Sequence, residues 1–240
     1  MVQAETEAWK NRQHVSYRKE ERSNRTKGHL WSELVVETSE GPLERLISID
    51  GRPLSNREEQ AEDKRIAVLA NHPKVLRQQT QRHNQDEARL PGLLSQFTQI
   101  FIFEIAGSEG DFTRIAFHPN PSFQEKMYQD RVVHAMSGVL FIHSPDMRLS
   151  QLDVRLDHRV EFGYGILGDV SDTTNFSLAR QEVSPGLWEP TKIHIHLDGT
   201  VLLMKSLSRD VEASQSGFKL VPHDLTVAEA AAMLRSKKYE

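Results

Sequence analysis

The 240-residue chain carries 30 Lys and Arg against 34 Asp and Glu, a formal net charge of −4, so no basic excess marks a nucleic-acid partner. Cysteine is absent, which excludes disulfides, zinc–thiolate sites and thiol nucleophiles together. Hydrophobic residues make up 38%, enough for a core, yet no run approaches the roughly 18 to 20 consecutive apolar residues of a membrane-spanning helix.

The opening stretch to Gln13 reads as a short amphipathic helix around Ala4, Ala8 and Trp9, without a basic-then-apolar signal sequence. Two locations fit it: a cytoplasmic protein, or an exported one in mature form with an added Met1. Three extended runs follow, "VSYRKEERS", "LWSELVVETS" and "PLERLISID", with turns at Gly28 and "EGP". Asp50-Gly51 closes the third. Ser55 then predicts an N-cap and Glu58 completes a capping box, opening a polar helical segment over about 55–97. Pro73 is expected to break or kink that segment, and "PGLLSQF" to form a second short helix. The charged run Arg57 to Arg65 reads as a wet helix face, with a contact surface for a partner as the alternative.

From Ile100 onward β structure is expected. "IFIFEIAG" and "FTRIAFHP" flank "SEGD" as a hairpin. After a helical stretch at "KMYQDRVVHAM", "GVLFIH" meets "RLSQLDVRLDHRVEF" across "SPDM". There Leu152, Val154 and Leu156 alternate with Asp153, Arg155 and Asp157, so one face is buried and the other wet. "TNFSLARQEV", "LWEPTKIHIHL", "TVLLMKSLSR" and "SGFKLV" continue through "SPG" and "DG" turns, and an alanine-rich helix over about 225–236 begins at Thr226. The pattern predicts one mainly β (α+β) domain over 1–240. Its curved antiparallel sheet of about eleven strands in meander order forms an unclosed half-barrel, with helices on the concave face.

Two motifs invite chemistry. Gly163, Gly165 and Gly168 spell G-x-G-x-x-G, but the following "DVSDTTNFSLARQEV" has no helical period, and a dinucleotide site needs a helix there. The glycines are expected to bend a sheet instead. His194 and His196 point to one face of a strand, as metal ligands can. If Asp198-Gly199 is a two-residue hairpin turn, Val201 and Leu203 oppose them, and a third ligand would have to come from the strand on the other side, with His158 or Asp157 as candidates. The plainer reading makes them the polar side of a strand whose other side is Ile193, Ile195 and Leu197. No G-x-S-x-G, H-E-x-x-H or P-loop is present, so neither an enzyme nor a cofactor is expected.

"RLISIDGRPLS" before a charged helix, and "FGYGILGDVSDTTNFSLARQEVSPGLWEPTKIHIHLDGTVLLMKSLSRDV", resemble uncharacterised exported bacterial proteins similar to the outer-membrane lipoprotein carriers (LolA-like). The likeness spans about Val15 to Val221. It implies a periplasmic chain whose unclosed barrel holds acyl chains on an apolar face, with no carrier-specific ligand residue to transfer. The 56–89 segment is longer than the lid helices of those carriers. Candidate groove residues are Phe101, Phe103 and Ile105 with Ile115 and Phe117 on the hairpin neighbour, extended on the same face by Phe141, Leu152, Val154 and Leu156. The plainer alternative makes them core packed against helices. The expected function is a non-enzymatic carrier or sensor of a lipid, lipoprotein or other amphiphile. The alternative is an envelope interaction module whose groove is filled by helices and whose charged segment meets a protein partner.

Overall fold

The computed structural model describes residues 1–163, 167–201, 205–206 and 208–236; within these it describes side chains except at 82–95, 128–129, 201 and 205–206. The protein is mainly β, an 11-stranded antiparallel sheet that does not close, with a few helices. The chain divides into two compact units, one made of Met1–Lys10 and Pro91–Glu212, the other of Asn11–Leu90 and Ala213–Glu240.

The second unit begins with strands β1 (Val15–Ser23), β2 (Trp31–Thr38), β3 (Gly41–Ile49) and the short β4 (Arg52–Pro53), linked as antiparallel hairpins. Ser55 caps α2 (Asn56–Asn71) through the expected capping box with Glu58. Pro73 ends that run and starts α3 (Pro73–Ile100), where its missing N–H costs nothing. The helix continues through Pro91 and Gly92, so the expected separate short helix is the end of a single long one. Thr226 caps α5 (Val227–Arg235) through a second box with Glu229. Helices α2 and α5 pack on β2 and β3 around Val36, Leu43, Ile66 and Ala230, all at 0% exposure.

The charged face of α2 is wet as expected at Arg57, Glu59, Gln60, Lys64 and Arg65, with Glu62 the buried exception. Strand β4 covers only Ser48 and Ile49 of β3, which leaves the rest of that edge without a strand partner among the described residues. The buried Glu62 carboxylate accepts the Leu46 N–H at 2.9 Å, and Arg65 donates to the Glu44 carbonyl. The Thr80 hydroxyl of α3 donates to the Glu40 carbonyl at 3.0 Å. Side chains from two helices thus stand in for a missing strand.

In the first unit, α1 (Val2–Lys10) and α4 (Tyr128–His134) accompany β5 (Phe101–Glu109), β6 (Phe112–Pro119), β7 (Met136–His143) and β8 (Arg148–Leu156). The "SEGD" and "SPDM" turns close their hairpins as expected. Strands β11 (Asn175–Ser184) and β12 (Leu187–Leu197) follow, joined by the "SPG" turn. A separate four-stranded sheet holds β9 (Val160–Phe162), β10 (Gly168–Val170), β13 (Gly199–Val201) and β14 (Lys205–Ser206).

Three expectations are corrected here. "RLSQLDVRLDHRVEF" is two strands in different sheets, β8 ending at Leu156 and β9 starting at Val160 after the Asp157 N–H has donated to the Ala135 carbonyl as a last rung beside β7. "DG" is not a hairpin turn: Gly199 opens β13, where a Cβ would lie 2.3 Å from the Asp169 carbonyl oxygen, so its bare backbone serves a close strand approach. The meander is also broken in space. Strand β15 (Arg209–Leu220), last in sequence, lies between β1 and β12, while β4 and β5 form the two edges.

Candidate functional site

Register sorts the side chains of β5–β8 into two faces. Phe103 opposes Phe117, Ile105 opposes Ile115, Ile115 opposes Leu140, and Leu140 opposes Leu152. These share one face, together with Phe101 and Val154. Phe101 and Phe117 meet edge-to-face at 5.0 Å, with Phe97 and Phe103 completing an aromatic cluster. Phe101, Phe117, Leu140 and Ile142 are buried, whereas Phe103, Ile115, Leu152 and Val154 are only partly so, with Met1, Phe97 and Phe123 packed against them. Ile105, midway along edge strand β5, is 79% exposed.

Six of the nine candidate groove residues therefore gather in one apolar cluster. Leu156 belongs to a neighbouring cluster with Ala135, Val160 and Val170. Phe141 is corrected: it pairs with Arg114 and Gln151 on the opposite face, because its position alternates with the inward Leu140. There it lines an open depression of about 970 Å³ with Phe112, Arg114, His143, Gln151 and Trp188. The His143 ring lies 5.3 Å from that of Phe112 and 5.2 Å from that of Trp188, with Nδ1 2.6 Å from Asp146, and Trp188 Nε1 donates to the same carboxylate. Burial pushes the Asp146 carboxyl up, but the hydrogen bonds from His143 and Trp188 outweigh it and the net direction is down. Ser144 does not join this pair; its hydroxyl contacts that of Thr113.

The histidine motif takes its plainer form. His194 and His196 oppose Ser177 and Asn175 on β11, while Ile193 and Ile195 oppose Leu178 and Phe176 on the other side. The expected partner Val201 instead opposes Gly168, and Leu203 lies outside the described residues. His196 Nδ1 is 2.6 Å from Asp210, and Asp157 accepts from Ser137 and Arg155. Among the described residues no three His, Asp or Glu side chains converge to hold a metal.

The glycine motif lacks its helix. Gly163 (φ +56°) turns the chain, and Gly168 (φ +135°) opens β10, which pairs with β9 on one side and β13 on the other. A strand offers no free helix N-terminus to a phosphate. Gly165 lies outside the described residues.

One polar cluster had no signal in the sequence. Glu5 on α1 accepts from Arg148 at 3.0 Å, from Arg180 at 2.9 Å and from the Leu149 N–H at 2.8 Å. Burial raises the Glu5 carboxyl, but the charge of Arg180 and the bonds from Arg148 and Leu149 bring it below its usual value. The donors are 143 and 175 residues away in sequence, beyond the reach of any spacing rule.

Compared with known proteins, the chain matches no family model, no curated protein and no solved structure.

Proposed function

We propose that the protein is a non-enzymatic binder of an amphiphile, sheltering an acyl chain of a lipid or lipoprotein on the apolar face of β5–β8. The observation carrying this reading is the incomplete cover of that face: Phe103, Ile115, Leu152 and Val154 keep partial exposure beside the exposed Ile105, at the open edge of an unclosed sheet. A soluble chain gains by covering such a surface, and each CH₂ buried contributes about 0.8 kcal/mol. In this reading the protein is exported and works in the periplasm as a carrier or sensor, in keeping with the likeness to lipoprotein carriers.

Native mass spectrometry of freshly purified protein is expected to detect a co-purified apolar ligand, and a fluorescent fatty-acid analogue to bind and be displaced by lipid. A ligand-free protein that also ignores the analogue would rule the reading out.

The other unit favours the second reading for its own surface. Its apolar face is filled by α2 and α5, while Arg57, Glu59, Lys64 and Val68 remain exposed on α2. That surface would meet an envelope protein partner. Charge reversal at Arg57, Glu59 and Lys64 is then expected to abolish a cross-link to that partner without moving the thermal transition.

A further inference from the structure

The Glu5 cluster is built as a receptor. Arg148 and Arg180 are 8% and 13% exposed at their side chains, and each is fixed by groups other than Glu5. Arg148 donates to the Gly186 carbonyl at 2.8 Å; Arg180 donates to the carbonyls of Trp188 at 2.8 Å and Leu149 at 3.2 Å. What remains is a pair of guanidiniums and one backbone N–H converging on a single carboxylate, a geometry suited to two-oxygen recognition. Two guanidiniums thus face the Glu5 carboxylate where solvent is scarce.

The carboxylate is delivered by a short helix. Helix α1 has nine residues and none is buried. An isolated helix shorter than about 12–15 residues is marginal in water, so α1 depends on its anchors. Beside Glu5, Met1 packs against the apolar cluster that includes Leu140, Ile142 and Leu149. The polar receptor and the greasy face are therefore contiguous: Glu5 of α1 meets the first, and Met1, just before the helix, meets the second.

We infer that Arg148, Arg180 and the Leu149 N–H form a carboxylate-binding site that Glu5 occupies in cis, and that a long-chain carboxylate displaces α1 from it. The ligand carboxylate takes the place of Glu5, and its alkyl chain takes that of Met1 along the face of β7 and β8. This rests on the proposed amphiphile binding and names its headgroup.

The test uses the full chain with dodecanoate and dodecanol, each below its aggregation limit. Calorimetry is expected to give at least tenfold tighter binding of dodecanoate, and hydrogen exchange of the Glu5–Lys10 amides to accelerate at least tenfold when it binds. Glu5→Gln is expected to tighten dodecanoate binding about tenfold, and Arg180→Met to erase the preference over dodecanol. Should Glu5→Gln not fold, the exchange measurement on the unaltered protein and Arg180→Met decide the matter. Equal binding of the two ligands, or dodecanoate binding that leaves α1 exchange unchanged, overturns the inference while sparing the apolar-face reading. Failure of both ligands to bind overturns both.

Discussion

Lys19 on β1 is nearly buried, and three carboxylates surround its ammonium: Glu33 at 2.9 Å, Glu21 at 3.3 Å, and Glu44. Arg25 bridges Glu21 and Glu33 at 2.7 and 2.8 Å and lies 5.1 Å over the Trp31 ring. Burial lowers the affinity of Lys19 for its proton, but Glu44 and Glu33 more than restore it, so it remains charged. Burial likewise pushes the Glu21 carboxyl up, yet bonds from Arg25 and Ser23 and the charge of Lys19 hold it at about 2. A carboxyl depressed in the folded state stabilises above its unfolded value and loses that contribution as pH falls through the folded one. Urea melts are expected to show up to about 3 kcal/mol of stability lost from this group between pH 4.5 and about 2, and Glu21→Gln to remove that component. The charges are plain in "VSYRKEERS", but their pairing is not: Lys19 and Glu33 meet only because they are cross-strand partners.

Elements were legible wherever their signals are local. Ser55 with Glu58, and Thr226 with Glu229, close their capping boxes within three residues, and the structure has both. Gly110 at φ +54° and Gly186 at φ +75° turn the hairpins their sequences announce. The same "DG" signal misleads at Asp198-Gly199, because contact with Asp169 uses the glycine differently. Glu62 is the clearest case of an element altered by its neighbour, a polar helix residue drawn inward by an unpaired strand edge. Glu62→Ala would leave the Leu46 N–H and Arg65 without their carboxylate and is expected to cost about 2–3 kcal/mol in a denaturant titration. Glu62→Gln, which keeps an acceptor, is expected to cost less.

Over the whole molecule, strand order is the feature that period and propensity do not encode. Each hairpin is set by its turn, but nothing local says that β15 pairs between β1 and β12, or that β9, β10, β13 and β14 leave the main sheet for their own. The apolar face of β5–β8 follows from alternation, and Ile105 tests whether that face has a use beyond packing. Ile105→Lys, at an exposed position, is expected to change stability by less than about 0.5 kcal/mol in a thermal melt. Displacement of a fluorescent fatty-acid analogue should nevertheless reveal severalfold weaker binding. The amino-acid order by itself determined the class, the capped starts of α2 and α5, most strand spans and the shared face of Phe101, Phe103, Ile115, Phe117, Leu152 and Val154, since these depend on neighbours within a few residues. Only the tertiary structure decided which strands lie side by side, which carboxylate meets which cation, and that Glu5 closes on Arg148 and Arg180. Those pairings join distant segments, and their free energy exists only once the chain has brought them together.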